Sequence, residues 1–176
     1  MRTQTLIAIG ITSLLMTVPV RVHSQTATTA EQISRMAHAL ELEQRARDLH
    51  ADPSRAGEAA RLHRQSAGLR SANDPEAVES LAMAAHLFNY SGRPLAARNT
   101  MEEAADRALA LGDVFRAARA YVEAAFFADA QQDRVETTRL GRKALLLAGS
   151  SRLTDEERTS IRNRIRTSST LASLDR

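Results

Sequence analysis

The side chains best suited to binding a metal ion or transferring a proton are five histidines, found at His23, His38, His50, His63 and His86. His38 and Glu41 are three residues apart, so on a helix they would share one face and offer two ligands to a metal ion. The simpler interpretation is a histidine exposed to solvent. Neither a Glu-x-x-His pair nor a His-Glu-x-x-His motif occurs in the sequence, which argues against a di-iron bundle and a zinc protease. We therefore expect no metal site.

The sequence also lacks patterns typical of catalytic nucleophiles and cofactor loops. It contains no cysteine, which excludes disulfides, thiolate metal ligands and cysteine nucleophiles. The glycines never cluster into a phosphate-binding loop, and neither Ser66 nor Ser80 has a patterned base nearby. The acidic pair Glu102-Glu103 falls on a polar helix face, where contact with water is the ordinary interpretation. We expect no cofactor and no enzymatic activity; an uncharacterised enzyme is the most distant alternative.

Composition indicates a globular protein without a nucleic-acid partner. Hydrophobic residues make up 43% and charged residues 26%, values typical of folded domains. There are 24 Lys+Arg and 21 Asp+Glu, a net charge of +3. Removal of an N-terminal segment carrying Arg2 and Arg21 would leave 22 basic residues against 21 acidic ones, or +1. So small a charge does not favour binding to nucleic acid or to an anionic membrane.

The N-terminus has the pattern of a secretory signal peptide. Arg2 precedes a mostly apolar stretch over residues 6–18, Pro19 follows, and Ser24 and Val22 occupy the −1 and −3 positions of a cleavage site. We expect cleavage after Ser24 and a periplasmic or secreted protein. No later apolar run is long enough to span a membrane. The alternative is an N-terminal anchor that is not cleaved.

The remaining chain is predicted to be all-helical. After the signal peptide over residues 1–24, we expect a polar linker over 25–30, a helical domain over 31–166 and a frayed tail over 167–176. Apolar residues recur at helical spacing and predict helices over residues 29–50, 53–69, 75–90, 93–111, 113–131, 133–148 and 153–166. Helix starts are indicated by Asp-Pro at 52–53 and 74–75, and by capping-box spacings at Thr28/Glu31 and Thr154/Glu157.

Two stretches of this helical region match each other at a spacing of 40 residues. The first carries Leu81, Ala84, Ala85, Phe88, Gly92, Ala97, Met101 and Ala104, and the second carries Tyr121, Ala124, Ala125, Ala128, Gln132, Thr137, Gly141 and Ala144. This pattern resembles tetratricopeptide repeats, with about two degenerate copies. Gln132 stands where that family has glycine, and Gly141 stands where it has a large apolar residue. The resemblance implies antiparallel helical hairpins stacked as a short α-solenoid; the alternative is a compact helical bundle.

The resemblance also implies a function, because such arrays bind a polypeptide in a groove lined by the first helix of each hairpin. The corresponding positions are Glu79, His86, Asn89 and Tyr90 in one repeat and Arg119, Val122, Phe126 and Asp129 in the next. We therefore expect an exported interaction module or scaffold with a protein or peptide partner. For Phe126 there is a simpler alternative, that it fills the core of a crowded helix.

A second functional class stays open. Leu153-Thr154-x-x-Glu157 resembles the Leu-Thr-x-x-Gln motif of small helical periplasmic stress chaperones. That resemblance covers five residues and has Glu in place of Gln. A capping box explains Thr154 and Glu157 equally well.

Overall fold

The computed structural model describes residues 22–174, so the predicted signal peptide up to position 21 lies outside the described residues. Within that range the chain is all-helical, as predicted. The helices are α1 (Val22–Leu49), α2 (Ala56–Leu69), α3 (Glu76–Tyr90), α4 (Pro94–Ala110), α5 (Val114–Ala130), α6 (Arg134–Ala148), α7 (Asp155–Arg166) and α8 (Ser169–Ala172), with a 3₁₀ turn at Pro53–Arg55 before α2.

Both ends of the helical region differ from the prediction. Helix α1 includes residues 25–30, which were predicted to be a linker, and it passes through Thr28 and Glu31 without a helix start. The physical reason is that no glycine or proline occurs between residues 22 and 51, so nothing interrupts the helix. At the other end, the segment predicted to be frayed forms α8, and Leu171 is fully buried.

Aspartate or threonine side chains cap the first turns of α3, α5, α6 and α7, and the sequence indicated the caps at Asp74 and Thr154. The Asp74 carboxylate accepts a hydrogen bond from the backbone N–H of Glu76 at 2.9 Å, and Asp113 does the same for Arg116 at 2.9 Å. At the start of α7, Thr154 and Glu157 form the predicted capping box. These caps satisfy backbone donors that the first turn of a helix leaves unpaired.

The turns between the central helices repeat every 20 residues. Gly92, Gly112 and Gln132 each have a positive φ, of 73°, 80° and 58°. In each turn the next residue's N–H donates to a carbonyl five residues earlier, the first being Arg93 to Phe88 at 2.8 Å. Glycine adopts this backbone conformation without strain because it has no side chain, whereas Gln132 adopts the same conformation although it has one. The missing glycine at Gln132 therefore does not change the form of the turn.

Of the residues matched at 40-residue spacing, all but the turn residues Gly92 and Gln132 are buried. Leu81, Phe88 and Met101 lie in the interior, as do Tyr121 and the alanines and threonine that correspond to the others. Helices α1 to α6 pack mainly against their neighbours in sequence, and α7 packs on both α5 and α6. Many of the buried residues are alanines, so the helices approach closely and each contact buries little area.

Because Gly141 has no side chain, it leaves a space on α6, the notch, that side chains from the C-terminal segment fill. A Cβ atom at this position would lie 2.6 Å from Cδ2 of Leu171 and 2.9 Å from Cδ1 of Leu174. The C-terminal segment therefore places leucine side chains where the sequence match expected a large residue on α6 itself.

Buried polar groups fix α1 against α2 and α3. Glu43 of α1 accepts hydrogen bonds from Ser66 at 2.8 Å and Ser80 at 2.6 Å, and from Nη2 of Arg70 at 2.9 Å. Arg70 also donates to Asp74 at 2.8 Å. Although burial alone would raise the pKa of Glu43, the donors around it hold the pKa below its ordinary value.

None of the helices in the described part of the chain combines the length and apolar character needed to cross a membrane.

Candidate functional site

A concave surface that combines charged and apolar side chains lies between α3 and α5, and we call it the α3–α5 cleft. Its volume is about 430 Å³. Helix α3 contributes Glu79, Ala82, Met83 and His86, and α5 contributes Phe115, Arg116, Arg119 and Glu123. Met101 and Ala104 of α4 complete the lining.

Two ion pairs join the walls of the α3–α5 cleft. Glu79 Oε1 lies 3.0 Å from Nη1 of Arg116, and His86 Nε2 lies 3.1 Å from Oε2 of Glu123. In both pairs the partners are 37 residues apart in sequence. Helices α3 and α5 therefore run in the same direction, and the pairs are separated along each helix by seven residues, or about 10 Å.

The His86–Glu123 pair changes the proton affinity of both groups. The hydrogen bond to Glu123 raises the pKa of His86 above its ordinary value. The same bond from His86 lowers the pKa of Glu123. The pair therefore favours a charged imidazolium facing a carboxylate.

Apolar side chains also line the cleft. Met83 is exposed over 43% of its surface, whereas Ala82 and Phe115 are partly buried. A methionine exposed to this extent offers a flexible apolar contact for a ligand.

Arg119 is the cation of the α3–α5 cleft that lacks a carboxylate partner within 4 Å among the described residues. Its guanidinium carbon lies 5.7 Å from the centroid of the Phe115 ring, a cation–π distance. Since Arg116 is already paired with Glu79 and Asp113, Arg119 is the arginine with donors to spare.

A second cleft of about 520 Å³ continues from the first between α5 and α7. The two share Arg119 and Glu123, and α7 adds Ser160, Asn163 and Arg164 to the second. We call this second surface the α5–α7 cleft.

Three of the predicted partner-binding residues lie together in the α3–α5 cleft: Glu79, His86 and Arg119. Asn89 and Tyr90 do not line it; they are exposed at the end of α3, Tyr90 over 67% of its surface. The sequence places them on the last turn of a helix, beyond the His86–Glu123 pair.

The other three predicted residues lie under the C-terminal helices. Val122 is fully buried at the α5–α7 cleft. Phe126 is partly buried against the core, with the guanidinium carbon of Arg164 at 5.3 Å from its ring centroid. Asp129 accepts a hydrogen bond from Oγ of Ser168 at 2.8 Å. Helix α7 and the segment after it therefore cover three residues that the repeat resemblance assigned to a groove.

Glu123, Arg116 and Met83 were missed by the reasoning from sequence, although a signal for two of them existed. Arg116, Arg119 and Glu123 follow the spacing i, i+3, i+7 and so form one polar stripe on an otherwise apolar α5. A polar stripe on a crowded helix marks a face turned toward water or a ligand. Met83 carries no comparable signal, because a methionine in an apolar helix is usually buried.

Comparison with known proteins gives no relative: no protein-family model, no curated protein and no solved structure matches this chain.

Proposed function

We propose that this chain is an exported, tetratricopeptide-like interaction module that binds a segment of a partner polypeptide in the α3–α5 cleft. The observation that carries the proposal is a cleft whose walls are joined by two ion pairs and which contains an exposed apolar side chain, Met83, and an arginine without a carboxylate partner, Arg119. Clefts that bind ligands are commonly preformed and combine apolar walls with a few oriented polar groups.

The dimensions suit a short extended peptide. The two ion pairs are about 10 Å apart along the helices, which corresponds to about three residues of extended chain at roughly 3.3 Å each. An apolar side chain of the peptide would pack on Met83, Ala82 and Phe115. The Arg119 guanidinium would donate to a peptide carbonyl or to an acidic group.

We also propose that the hairpins α3–α4 and α5–α6 stack as a short solenoid instead of closing into a bundle. Two features support this arrangement: α3 and α5 run in the same direction, and the turns after α3, α4 and α5 repeat at 20-residue spacing. A stack of this kind places first helices side by side, which is the geometry that creates a groove.

The alternative of a periplasmic stress chaperone gains no separate support. Leu153 is buried, and Thr154 and Glu157 bond each other's backbone as a capping box. The residues of the chaperone-like motif are thus engaged in starting α7.

A photo-crosslinking experiment tests the proposed function. A photoreactive residue at Met83 should trap one or a few partners from an envelope extract, while the same probe at Leu95, an even more exposed residue on α4, should not. Mass spectrometry of the crosslink would identify the peptide, and a synthetic copy would then be titrated. Arg119→Glu should abolish its binding, with Arg142→Glu on α6 as the matched charge reversal.

Two results would reject the proposal. Trapping of many unrelated clients together with delayed aggregation of test substrates would favour the chaperone. Equal crosslinking at Met83 and Leu95, with a folded Arg119→Glu variant that binds normally, would exclude the α3–α5 cleft as the site.

A further inference from the structure

Two histidines from different helices meet at the junction of α1 and α2. The Nε2 atom of His50, just after α1, lies 3.1 Å from the Nε2 atom of His63, in the middle of α2. Their ring centroids are 5.2 Å apart, with the rings tilted by 42°. The 3.1 Å contact is within hydrogen-bond distance, and it brings together two ring nitrogens of the kind that most often bind metal ions in proteins.

The surroundings of this pair combine a fixed ligand with access from solvent. His63 is 5% exposed, so packing within α2 and against α1 limits its movement, whereas His50 is exposed.

We propose that His50 and His63 form a two-histidine site for a borderline divalent transition-metal ion of the Zn²⁺, Ni²⁺ and Cu²⁺ group. Imidazole nitrogen is a preferred ligand for these ions. The site is separate from the α3–α5 cleft, because neither histidine lies on α3 or α5.

The distance between the nitrogens fits such an ion. Suppose that a metal ion lies about 2.0–2.1 Å from each Nε2 atom. With the two nitrogens 3.1 Å apart, the N–metal–N angle would then fall between the values for square-planar and tetrahedral coordination. No group of three His, Asp, Glu or Cys side chains that could hold a metal ion occurs in the described residues. Water on the exposed His50 side would therefore supply the remaining ligands.

Neighbouring groups determine how tightly the two histidines are expected to bind the metal ion. Nδ1 of His63 is buried without a hydrogen-bond partner among the described residues, so no acceptor orients that ring. Sites that lack such a second contact bind metal about 10–100-fold more weakly than sites that have it. The nearby carboxylate of Glu43 favours a dication, whereas Arg47 opposes it.

A metal ion bound at this site would link α1 to the rest of the helices. The two ligands are separated by the 3₁₀ turn at Pro53–Arg55, so an ion bound to both would hold the end of α1 against the middle of α2. Binding of an ion to the folded state alone raises the free energy of unfolding.

A zinc titration tests the inference on the full chain after dialysis against a chelator. Zn²⁺ should shift the ring resonances of His50 and His63 in a ¹H–¹³C NMR spectrum at one equivalent and should raise the melting temperature. His50→Gln should remove the rise in melting temperature and weaken binding by at least about tenfold. The exposed position of His50 means that this variant folds, whereas a change at the buried His63 could unfold α2.

His38→Gln is the matched control, because His38 is an exposed histidine on α1, and its Nδ1 lies 3.5 Å from Glu41. It should bind Zn²⁺ as the parent does. The inference fails if the rings of His50 and His63 do not shift, or if His50→Gln binds Zn²⁺ as tightly as the parent. It also fails if His38→Gln, and not His50→Gln, removes the binding.

Discussion

Glu123 follows His86 by 37 residues in the sequence, and their side chains meet at 3.1 Å across the α3–α5 cleft. The second ion pair, Glu79 with Arg116, has the same sequence separation. The turns, in contrast, repeat at intervals of 20 residues, so corresponding positions on α3 and α5 are 40 apart. The difference of three residues means that α5 is shifted along α3 by nearly one turn, about 4.5 Å.

The charge state of the His86–Glu123 pair should depend on both partners. The pKa of His86 is raised, so its stabilising contribution is complete below its ordinary pKa of 6.5 and is lost as the pH rises through the folded-state pKa. The pKa of Glu123 is lowered from 4.5, so its contribution is lost as the pH falls through the folded-state value. Glu123→Gln should lower the pKa of His86 in an NMR titration, while Glu79→Gln should leave it unchanged. An unaltered His86 titration in Glu123→Gln would contradict the pairing.

The buried carboxylate of Glu43 should contribute to stability. Glu43→Gln keeps an oxygen that can accept from Ser66 and Ser80, but it removes the negative charge that faces the buried guanidinium of Arg70. We expect a loss of about 1–3 kcal/mol in the free energy of unfolding, measured by urea denaturation. Glu41→Gln, at an exposed position on the same helix, should change it by less than about 0.5 kcal/mol. Equal effects of the two substitutions would remove Glu43 from the core.

Phe88 should be among the most costly residues to truncate. It is 5% exposed and packs with Ala60, Ala84 and Ala97. Phe88→Ala should lower the free energy of unfolding by about 3–5 kcal/mol. Met83→Ala, five residues earlier on the solvent side of α3, should cost less than about 0.5 kcal/mol but weaken binding to a peptide. A melting temperature unchanged by Phe88→Ala would contradict the packing of α3.

Two glycines within helices should respond differently to alanine. A Cβ at Gly68 has nothing within 4 Å, so Gly68→Ala should gain up to about 1 kcal/mol from helix propensity. At Gly141 the same atom would meet Leu171 and Leu174 at less than 3 Å. Gly141→Ala should therefore be less stable than Gly68→Ala in thermal denaturation. It should also be cut faster by trypsin at Arg166. An equal gain at both sites would mean that the C-terminal leucines do not occupy the notch.

Export should leave a recognisable N-terminus. Mass spectrometry of the protein purified from the cell envelope should find a chain that begins at or near Gln25. Ser24→Leu, which places a bulky residue at the −1 position, should slow the cleavage, and Ser34→Leu outside the site should not. A full-length chain in the membrane fraction would favour the uncleaved anchor.

The helices were accessible to reasoning from sequence because local signals define them. Asp74 and Thr154 cap their helices through bonds to residues two or three positions away, and the buried stripe around Leu81 follows helical periodicity. The ends of α1 were predicted less well. Its polar N-terminal part has no breaker and continues as helix, although its composition suggested a linker.

The site was predicted only in part because its geometry depends on contacts between distant segments. Glu79, His86 and Arg119 were assigned from the resemblance to tetratricopeptide repeats, and they line the same cleft. The shift of α5 along α3, and the cover that α7 provides over Phe126, follow from packing that no local pattern encodes. The contact of His50 with His63 is of the same kind, since the two lie on either side of a turn at no recognised spacing.

The equal spacing of the turns at Gly92, Gly112 and Gln132 has a consequence for insertions and deletions. Each residue added to a helix rotates its far end by about 100°. One extra residue within α4 would therefore direct α5 away from α3 and carry Arg116, Arg119 and Glu123 off the cleft, even with every side chain retained. The length of α4 should tolerate change less than the identity of its exposed residues does. The chain is thus free to vary in composition on its surface, while the number of residues per helix is constrained.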